Sequence, residues 1–325
     1  AIMLVYYAVE PNTFLLDQLS DGRLSGIRFD FLGMSLPVPS LAFALLCLAM
    51  ALRVPVWPVH GWFSYLITQA PPSVSVALCG GFIPAAIYLF VRLAYGLFPF
   101  SLSELAPVLV GIGALNVVIG AVGAVAQKDF RMFCASLCLT QTGLLLVGIS
   151  SMDSVGVVGA VFQLFAFGLG IAGLMLFFGV LRERTGKVGF KAQADDTAGY
   201  WGLASQAPVM AVVTGMIVAS LLGFPGFGGF VGGSLIFMGG YSVHPAAVLV
   251  LGLGAFFMTL AFFSVYMRIF LGKYPENARG TADLALRERG FLMPVVGVLV
   301  MLGVYPKPLL DLVKPSVGVL LKLIH

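Results

Sequence analysis

Long apolar runs are the feature that most constrains how this chain can fold. The stretch from residue 155 to residue 181, for example, contains no charged side chain. About 20 apolar residues suffice for a helix to cross the hydrocarbon core of a bilayer, and backbone groups in lipid must be paired internally. Only 10% of the residues are charged, whereas soluble domains carry about 25%. The sequence therefore predicts an all-α integral membrane protein.

Eight full transmembrane helices are predicted from these runs. The predicted spans are 36–54, 73–97, 104–126, 130–150, 155–181, 206–240, 245–270 and 289–305. Two spans contain helix-breaking residues, namely Pro84 and the segment 223–226, and each break lies downstream of a Gln-Ala-Pro tripeptide, at 69–71 and 206–208. Paired broken helices in corresponding positions predict an inverted-repeat transporter architecture. A proline is also tolerated in a membrane helix as a simple kink.

We expect the chain to form a single membrane domain over residues 1–325. Its predicted parts are a first repeat at 36–150, a second repeat at 155–270 and C-terminal helices at 289–325. Residues 1–8 are apolar but too short to span a membrane, and no charged segment precedes them as in a signal peptide. They are interpreted as the stub of an incomplete helix, in a chain shortened at its N-terminus.

The basic residues of the loops predict the orientation of the chain. They are concentrated on one side, at Arg53, Lys128, Arg131, Arg182, Arg184, Lys187, Lys191, Arg268, Lys273, Arg279, Arg287 and Arg289. The opposite loops, near 98–103, 151–154 and 241–244, contain no lysine or arginine. Because loops rich in lysine and arginine stay in the cytoplasm, the basic side is predicted to be cytoplasmic.

The cysteines and the charge of the chain do not indicate a cofactor or a nucleic acid partner. The four cysteines lie inside apolar runs, and no pair has the C-x-x-C spacing of a metal or redox site. Cys134 and Cys138 share a helix face, where packing is the favoured interpretation. The net charge of +4 is modest and follows from the basic loops. We therefore expect no cofactor on this chain.

Ionisable residues within membrane spans are costly and usually mark a pathway for ions or substrates. All fourteen Asp and Glu residues of this chain fall in loops or at predicted span ends. Arg92 is expected to extend its charged group to the membrane interface. Arg131 lies one turn inside its predicted helix, close to Asp129 and Lys128. It is expected to pair locally or to reach a polar cavity, but arginine cannot relay protons near neutral pH.

Several motifs together resemble a known family. They are Pro55-Val-Trp-Pro-Val-His-Gly-Trp62, Gln69-Ala-Pro71, Ala126-Gln-Lys-Asp129, Gln163-Leu-Phe-Ala166, Leu181-Arg-Glu-Arg-Thr-Gly186, Leu222-Gly-Phe-Pro-Gly226, Gly229-Phe-Val-Gly232, Arg268-Ile-Phe-Leu-Gly-Lys273 and Gly303-Val-Tyr-Pro-Lys-Pro308. This series resembles the antiporter-like membrane subunits of respiratory complex I, in particular the M-type subunit (chain 4) of NADH–quinone oxidoreductase. The resemblance covers nearly the whole chain and implies additional helices upstream.

The resemblance implies proton transfer along a central axis of lysines, histidines and a glutamate. Here that axis is largely lost, because Pro84, Phe167 and Gly233 stand at family positions for a lysine, a histidine and the glutamate. The remaining candidates for a proton path are Arg53, His60, Arg131 and Gln141. For His60, beside two prolines, a structural hydrogen bond is favoured over proton relay. Flavin and iron–sulfur clusters, and with them any redox reaction, are expected only in partner subunits.

Three functional interpretations follow. The first is a structural or non-pumping membrane-arm subunit, motivated by the emptied axis. The second is an active proton-translocating subunit that uses water, the remaining candidates and carboxylates of neighbouring subunits. The third is a subunit of a cation/proton antiporter or of an inorganic-carbon uptake complex. In each case the expected partners are other membrane subunits and the lipid bilayer, and the expected location is the bacterial cytoplasmic membrane.

Overall fold

The computed structural model describes residues 3–4, 6, 28–31, 34–127, 130–185, 202–271 and 282–322. Most of the predicted N-terminal stub lies outside these residues. Lys128 and Asp129, the predicted local partners of Arg131, also lie outside them. The interpretation of both features therefore stays a prediction.

The described part of the chain is a bundle of helices preceded by one short hairpin. Strands β1 (Arg28–Phe31) and β2 (Met34–Pro37) pair in antiparallel register; this hairpin was not predicted. The helices are α1 (Val38–Arg53), α2 (Gly61–Gln69), α3 (Pro72–Leu97), α4 (Pro99–Ala126), α5 (Phe130–Ser150), α6 (Ser154–Thr185), α7 (Pro208–Leu221), α8 (Gly228–Val243), α9 (Pro245–Phe270), α10 (Leu286–Val304) and α11 (Lys307–Leu321).

The chain is an integral, multi-pass membrane protein, but the described helices support fewer full spans than the eight predicted. Five helices, α3 to α6 and α9, are long and apolar enough to cross a membrane. A sixth span results if α10 and α11, which are bent by 70° relative to each other, are counted together. Helix α1 has 16 residues, and α7 and α8 have 14 and 16, so each is shorter than a full span requires.

Helix α6 occupies the centre of the bundle, and small residues let its neighbours approach closely. A Cβ atom at Gly168 would lie 3.0 Å from Pro84 of α3, and one at Gly170 would lie 2.8 Å from Leu221 of α7. A Cβ atom at Gly173 would lie 2.8 Å from Val295 of α10. The three glycines therefore pack against three different helices.

The two predicted helix breaks have different outcomes. At Pro84 the helix is not broken, since residues Leu78–Phe82 form a π-helical turn inside the continuous helix α3. Proline lacks an N–H group and crowds the carbonyl four residues earlier, and a wider turn relieves this conflict. The second break is real, because α7 ends at Leu221 and α8 begins at Gly228. Between them Gly223 and Gly226 adopt φ values of 75° and 93°, which favour glycine.

Candidate functional site: polar contacts inside the bundle

The buried polar side chains of the described residues carry few charges. They are Ser75, Ser101, Asn116, Arg131, Thr140, Gln141, Thr142, Ser150, Ser151, Gln163, Thr214 and Ser220. This set, drawn from the described residues, contains no Asp, Glu, Lys or His. Since buried polar groups in a membrane must find partners, the contacts of the amides and of Arg131 show what this interior does.

Two glutamine side chains form a directed chain of hydrogen bonds at the second helix break. Gln141 Nε2 donates to the carbonyl oxygen of Leu221 at 2.6 Å. That carbonyl ends helix α7 and has no partner within its own helix. Gln163 Nε2 in turn donates to Gln141 Oε1 at 3.0 Å. Because a carbonyl can only accept, the orientation of both amide groups is set by Leu221.

Glycines allow helix α8 to approach these groups. A Cβ atom at Gly229 would overlap the carbonyl oxygen of Ser220, and one at Gly232 would lie 2.5 Å from Gln163 Oε1. Gly233, in contrast, has no atom within 4 Å of the position of a Cβ atom. It faces a cavity of about 450 Å³ whose wall also includes Gln141 and Gln163. The position predicted to correspond to the glutamate of the family therefore faces open space.

Arg131 caps the short helix α2. Its Nη1 group lies 3.3 Å from the carbonyl oxygen of Ile67, 2.5 Å from that of Thr68 and 3.1 Å from that of Ala70. The first two carbonyls would normally accept from the N–H groups four residues later, but those residues are Pro71 and Pro72. The Gln-Ala-Pro motif therefore creates unpaired carbonyls that Arg131 satisfies.

The Arg131 guanidinium also lies over an aromatic ring. Its Cζ atom is 4.7 Å from the ring centroid of Phe178 on α6, which is a cation–π contact. The side chain is only 3% exposed, so this basic residue of the predicted cytoplasmic side lies inside the protein. It contributes to packing three helices, α2, α5 and α6.

Asn116 and Thr142 bind the loop that carries the first sequence motif. Asn116 Oδ1 accepts from the backbone N–H of Trp57 at 2.7 Å, and its Nδ2 donates to Pro55 O at 3.1 Å. Thr142 Oγ1 donates to the same Pro55 oxygen at 2.8 Å. Asn116 is fully buried. Neither side chain is ionisable, so the rule that ionisable residues mark functional sites does not identify them. A lone asparagine within a predicted span nevertheless indicates a buried polar contact.

The four predicted path residues are not joined into one hydrogen-bonded chain within the described contacts. Arg53 is exposed in the last turn of α1. His60 is half-buried at the start of α2, lines a 240 Å³ cavity with Ser64 and Ser136, and its Nδ1 has no hydrogen-bond partner among the described residues. Arg131 and Gln141 satisfy backbone carbonyls, as given above. Their roles in proton transfer stay predictions.

The three residues predicted to replace the family axis lie in different surroundings. Pro84 contacts Gly168 at the crossing of α3 and α6. Phe167 is fully buried on α6. Gly233 faces the cavity described above. None of these three residue types can bind or release a proton through its side chain.

Asp283 caps the helix that begins at the second Gln-Ala-Pro motif. Its carboxylate accepts from the backbone N–H groups of Val209 and Met210, both at 3.1 Å, and from that of Leu284 at 2.7 Å. Partial burial acts to raise the pKa of Asp283, but these N–H groups and the positive charge of Arg289 outweigh burial and lower the pKa below its ordinary value. This contact could not be predicted, because 74 residues separate Asp283 from Val209.

The lowered pKa predicts a stability that depends on pH. Since the pKa of Asp283 is lower in the folded than in the unfolded state, its contribution is complete above the unfolded value near 3.8 and is lost as the pH falls through the folded value. Asp283→Ala should lower the free energy of unfolding by about 1 kcal/mol at neutral pH and should reduce the loss at acidic pH. Unfolding in detergent, measured from roughly pH 2 to pH 7, covers the range in which carboxyl groups titrate. It measures both effects. Asp311→Ala, at an exposed carboxylate, is the control, and an equal effect of both substitutions contradicts the prediction.

Comparison with known proteins identifies similar chains. Residues 1–259 match the family described as NADH:quinone oxidoreductase/Mrp antiporter, TM. NADH-quinone oxidoreductase subunit M of Pseudomonas aeruginosa is 32% identical over 264 residues, which are 81% of this chain and 50% of that protein. The subunit M of Escherichia coli K12 is 30% identical over 273 residues, 83% of this chain and 52% of that protein. The chain thus spans about half the length of these relatives.

Solved structures share the fold over the whole chain. A chain of respiratory complex I from Thermus thermophilus superposes with a TM-score of 0.86 and 26% identity, and the match covers 100% of this chain and 65% of that one. A chain of the Mrp complex from Dietzia sp. superposes with a TM-score of 0.83 at 21% identity, covering 100% and 66%. At this lower identity the likeness shows the fold alone.

Proposed function

Because the chain belongs to the NADH:quinone oxidoreductase/Mrp antiporter transmembrane family, we propose that it is an M-type membrane-arm segment with a structural role that does not itself conduct protons. The proposal concerns the segment present in this chain, which covers about half of its relatives.

The observation that carries the proposal is the chemistry of the buried interior. A proton path through a membrane needs groups whose pKa values can be brought near the working pH. The buried polar groups of the described helices are amides, hydroxyls and Arg131. Amides and arginine do not release protons near neutral pH. Gln141 and Arg131 donate to backbone carbonyls, and Gln163 donates to the side chain of Gln141. These contacts support a role in holding helices together.

The proposed setting is a complex I-like assembly in a bacterial cytoplasmic membrane. Relatives named as subunits of NADH-quinone oxidoreductase in bacteria support this setting. In it, other membrane-arm subunits surround the chain, and flavin and iron–sulfur clusters belong to partner subunits. The bilayer itself is the second partner, as the exposed apolar side chains of α8 and α9 indicate.

One observation favours the alternative, an active proton path. His60 Nδ1 lacks a hydrogen-bond partner among the described residues and lines a polar cavity with two serines. An imidazole ring can both donate and accept a hydrogen bond, so it could pass a proton to or from water in this cavity. The alternative therefore predicts that proton transfer depends on the imidazole of His60.

The test uses the intact complex that contains this chain, reconstituted in lipid vesicles. The quantity measured is the number of protons moved per electron transferred. His60→Gln retains a hydrogen-bonding side chain but removes the imidazole, and Ser64→Ala in the same cavity is the matched control. We expect the same ratio for both variants and the unmodified complex. A lower ratio for His60→Gln alone, at an unchanged rate of electron transfer, would overturn the non-conducting role. A separate measurement, the identification of the subunits that co-purify with the chain, distinguishes an oxidoreductase from an antiporter or an inorganic-carbon uptake complex.

A further inference from the structure

Three of the four cysteines meet inside the bundle. Cys79 lies in the π-helical turn of α3, whereas Cys134 and Cys138 lie on α5, and all three are fully buried. The side chains of Cys138 and Cys79 share a hydrogen bond, and Cys134 is close enough to Cys138 for an electrostatic interaction. None of the four cysteines is in a disulfide. Their spacing in the sequence does not indicate a redox pair, but the fold brings thiols of two helices into contact.

Cys138 can form a disulfide with Cys79 but not with Cys134. Residues four apart on a helix have Cβ atoms about 5–6 Å apart, whereas a disulfide requires about 3.5–4.5 Å. A bond between Cys134 and Cys138 would therefore distort α5. Cys79 approaches from another helix, and its side chain is already in hydrogen-bonding contact with Cys138. The two sulfur atoms need only a short approach to reach bonding distance.

The π-helical turn that carries Cys79 is packed on one side and open on the other. A Cβ atom at Gly80 would lie 2.6 Å from that of Ala172 on α6, so glycine is required for this approach. The next residue, Gly81, has no atom within 4 Å of the position of a Cβ atom. Short π-helical turns occur mostly at functional sites. The open space beside Gly81 lets the turn adjust when the two sulfur atoms move together.

Cys138 lies on the face of α5 that binds two other helices. Residues 131, 134, 138 and 141 follow the spacing of three and four that places side chains on one helix face. On this face Arg131 caps α2, and Gln141 donates to the carbonyl that ends α7. A covalent bond from Cys138 to Cys79 would therefore add α3 to the helices that α5 holds in place.

We propose that Cys79 and Cys138 form a redox-sensitive pair, which hydrogen peroxide converts into a disulfide that links α3 to α5. Peroxide is uncharged and not much larger than water, so it enters apolar interiors that exclude charged oxidants. The reduced chain holds the two helices by packing alone, and the oxidised chain adds one covalent crossing between them. The proposal holds whether or not the segment conducts protons.

The reaction consumes one peroxide molecule for each disulfide. In the first step one sulfur attacks a peroxide oxygen, the O–O bond breaks, and the thiol proton leaves with the released hydroxide as water. In the second step the other sulfur attacks the resulting sulfenic acid, the S–O bond breaks, and the second thiol proton leaves with hydroxide as water. Both sulfurs are oxidised and both peroxide oxygens are reduced. Because apolar burial disfavours the reactive thiolate, we expect a slow first step, followed by a fast second step between contacting sulfurs.

The test treats the complex that contains this chain with hydrogen peroxide, removes the peroxide with catalase and alkylates the remaining thiols in denaturant. Mass spectrometry of the digested chain then identifies the linked cysteines. We expect a peptide pair joined through Cys79 and Cys138, two hydrogen atoms lighter than the separate thiol peptides and split by dithiothreitol. This link should exceed any link to Cys47 by about tenfold, because contacting thiols react at a high effective concentration. Cys47 is half-buried on α1, and its oxidation verifies that peroxide entered the membrane.

Alanine variants of the full chain in detergent separate the pair from ordinary oxidation. Cys79→Ala and Cys138→Ala should each abolish the link, whereas Cys134→Ala, on the same face of α5, should retain it. In the unmodified chain and in Cys134→Ala, peroxide should raise the temperature of unfolding, because a disulfide restricts the unfolded chain. Dithiothreitol should reverse this rise. Neither Cys79→Ala nor Cys138→Ala should show it.

The map of links in the unmodified chain decides by itself, so a variant that fails to fold leaves the test intact. Oxidised Cys47 together with reduced Cys79 and Cys138 would overturn the proposal. Sulfinic acids in place of the link, or a link from Cys79 to Cys134 at equal yield, would also overturn it.

Discussion

Gly229→Ala is expected to destabilise the protein strongly, whereas Gly233→Ala on the same helix should have little effect. A Cβ atom at residue 229 would overlap the carbonyl oxygen of Ser220, while one at residue 233 meets no atom within 4 Å. The Ser220 carbonyl also accepts from the N–H of Gly223 inside the helix break. Neither group can move without disturbing the turn between α7 and α8, and overpacking of this kind costs about 3 kcal/mol.

The free energy of unfolding in mixed detergent micelles measures this difference. Both substitutions add the same methyl group to α8, so the change in helix propensity is the same in both and only the tertiary contact differs. Comparable stabilities of the two variants would show that α8 can shift away from Ser220 at little cost. The close approach at the break would then not determine the position of α8.

Arg131→Met is expected to lower the free energy of unfolding by about 3 kcal/mol, since it leaves buried carbonyls without their charged donor. The carbonyls of Ile67 and Thr68 have no alternative, because the residues four positions later are prolines. Methionine retains most of the apolar stem, so the loss reports mainly on the hydrogen bonds and the contact with Phe178.

Arg92→Met is the matched control for this prediction. Arg92 is exposed on α3, and its replacement should change the free energy of unfolding by less than about 0.5 kcal/mol. Arg131→Lys should recover only part of the loss, because an ammonium group cannot reproduce the planar fork of a guanidinium. Full stability of Arg131→Met would show that water or another group satisfies the carbonyls, and the capping role would be wrong.

The positions of the long helices and their location in a membrane could be predicted well, because both depend on local composition. The predicted spans 130–150 and 245–270 have the same bounds as α5 and α9. The break at Gly223 to Gly226 was also predictable, since consecutive helix-breaking residues interrupt a helix wherever it packs. The outcome at Pro84 could not be predicted, because a single proline can be accommodated by a change in hydrogen-bond pattern, and the sequence does not show which pattern forms.

Partners of individual side chains could not be predicted in the same way. Asn116 binds a loop about 60 residues away, Gln141 binds a carbonyl 80 residues away, and Asp283 caps a helix more than 70 residues away. Such contacts depend on which helices become neighbours. Ionisable residues mark functional sites in membranes, but here buried amides make two of these contacts.

Hydropathy and the backbone chemistry of consecutive residues dictate that this chain enters a membrane as helices, that its apolar runs contain few titratable groups, and that one helix is interrupted near residue 225. Packing across the bundle, in contrast, brings Arg131 and Asp283 to the two Gln-Ala-Pro motifs. The two side chains carry opposite charges, and Arg131 binds carbonyls whereas Asp283 binds N–H groups. Helix ends expose backbone groups of known polarity, but the side chain that satisfies them is chosen by packing across the bundle.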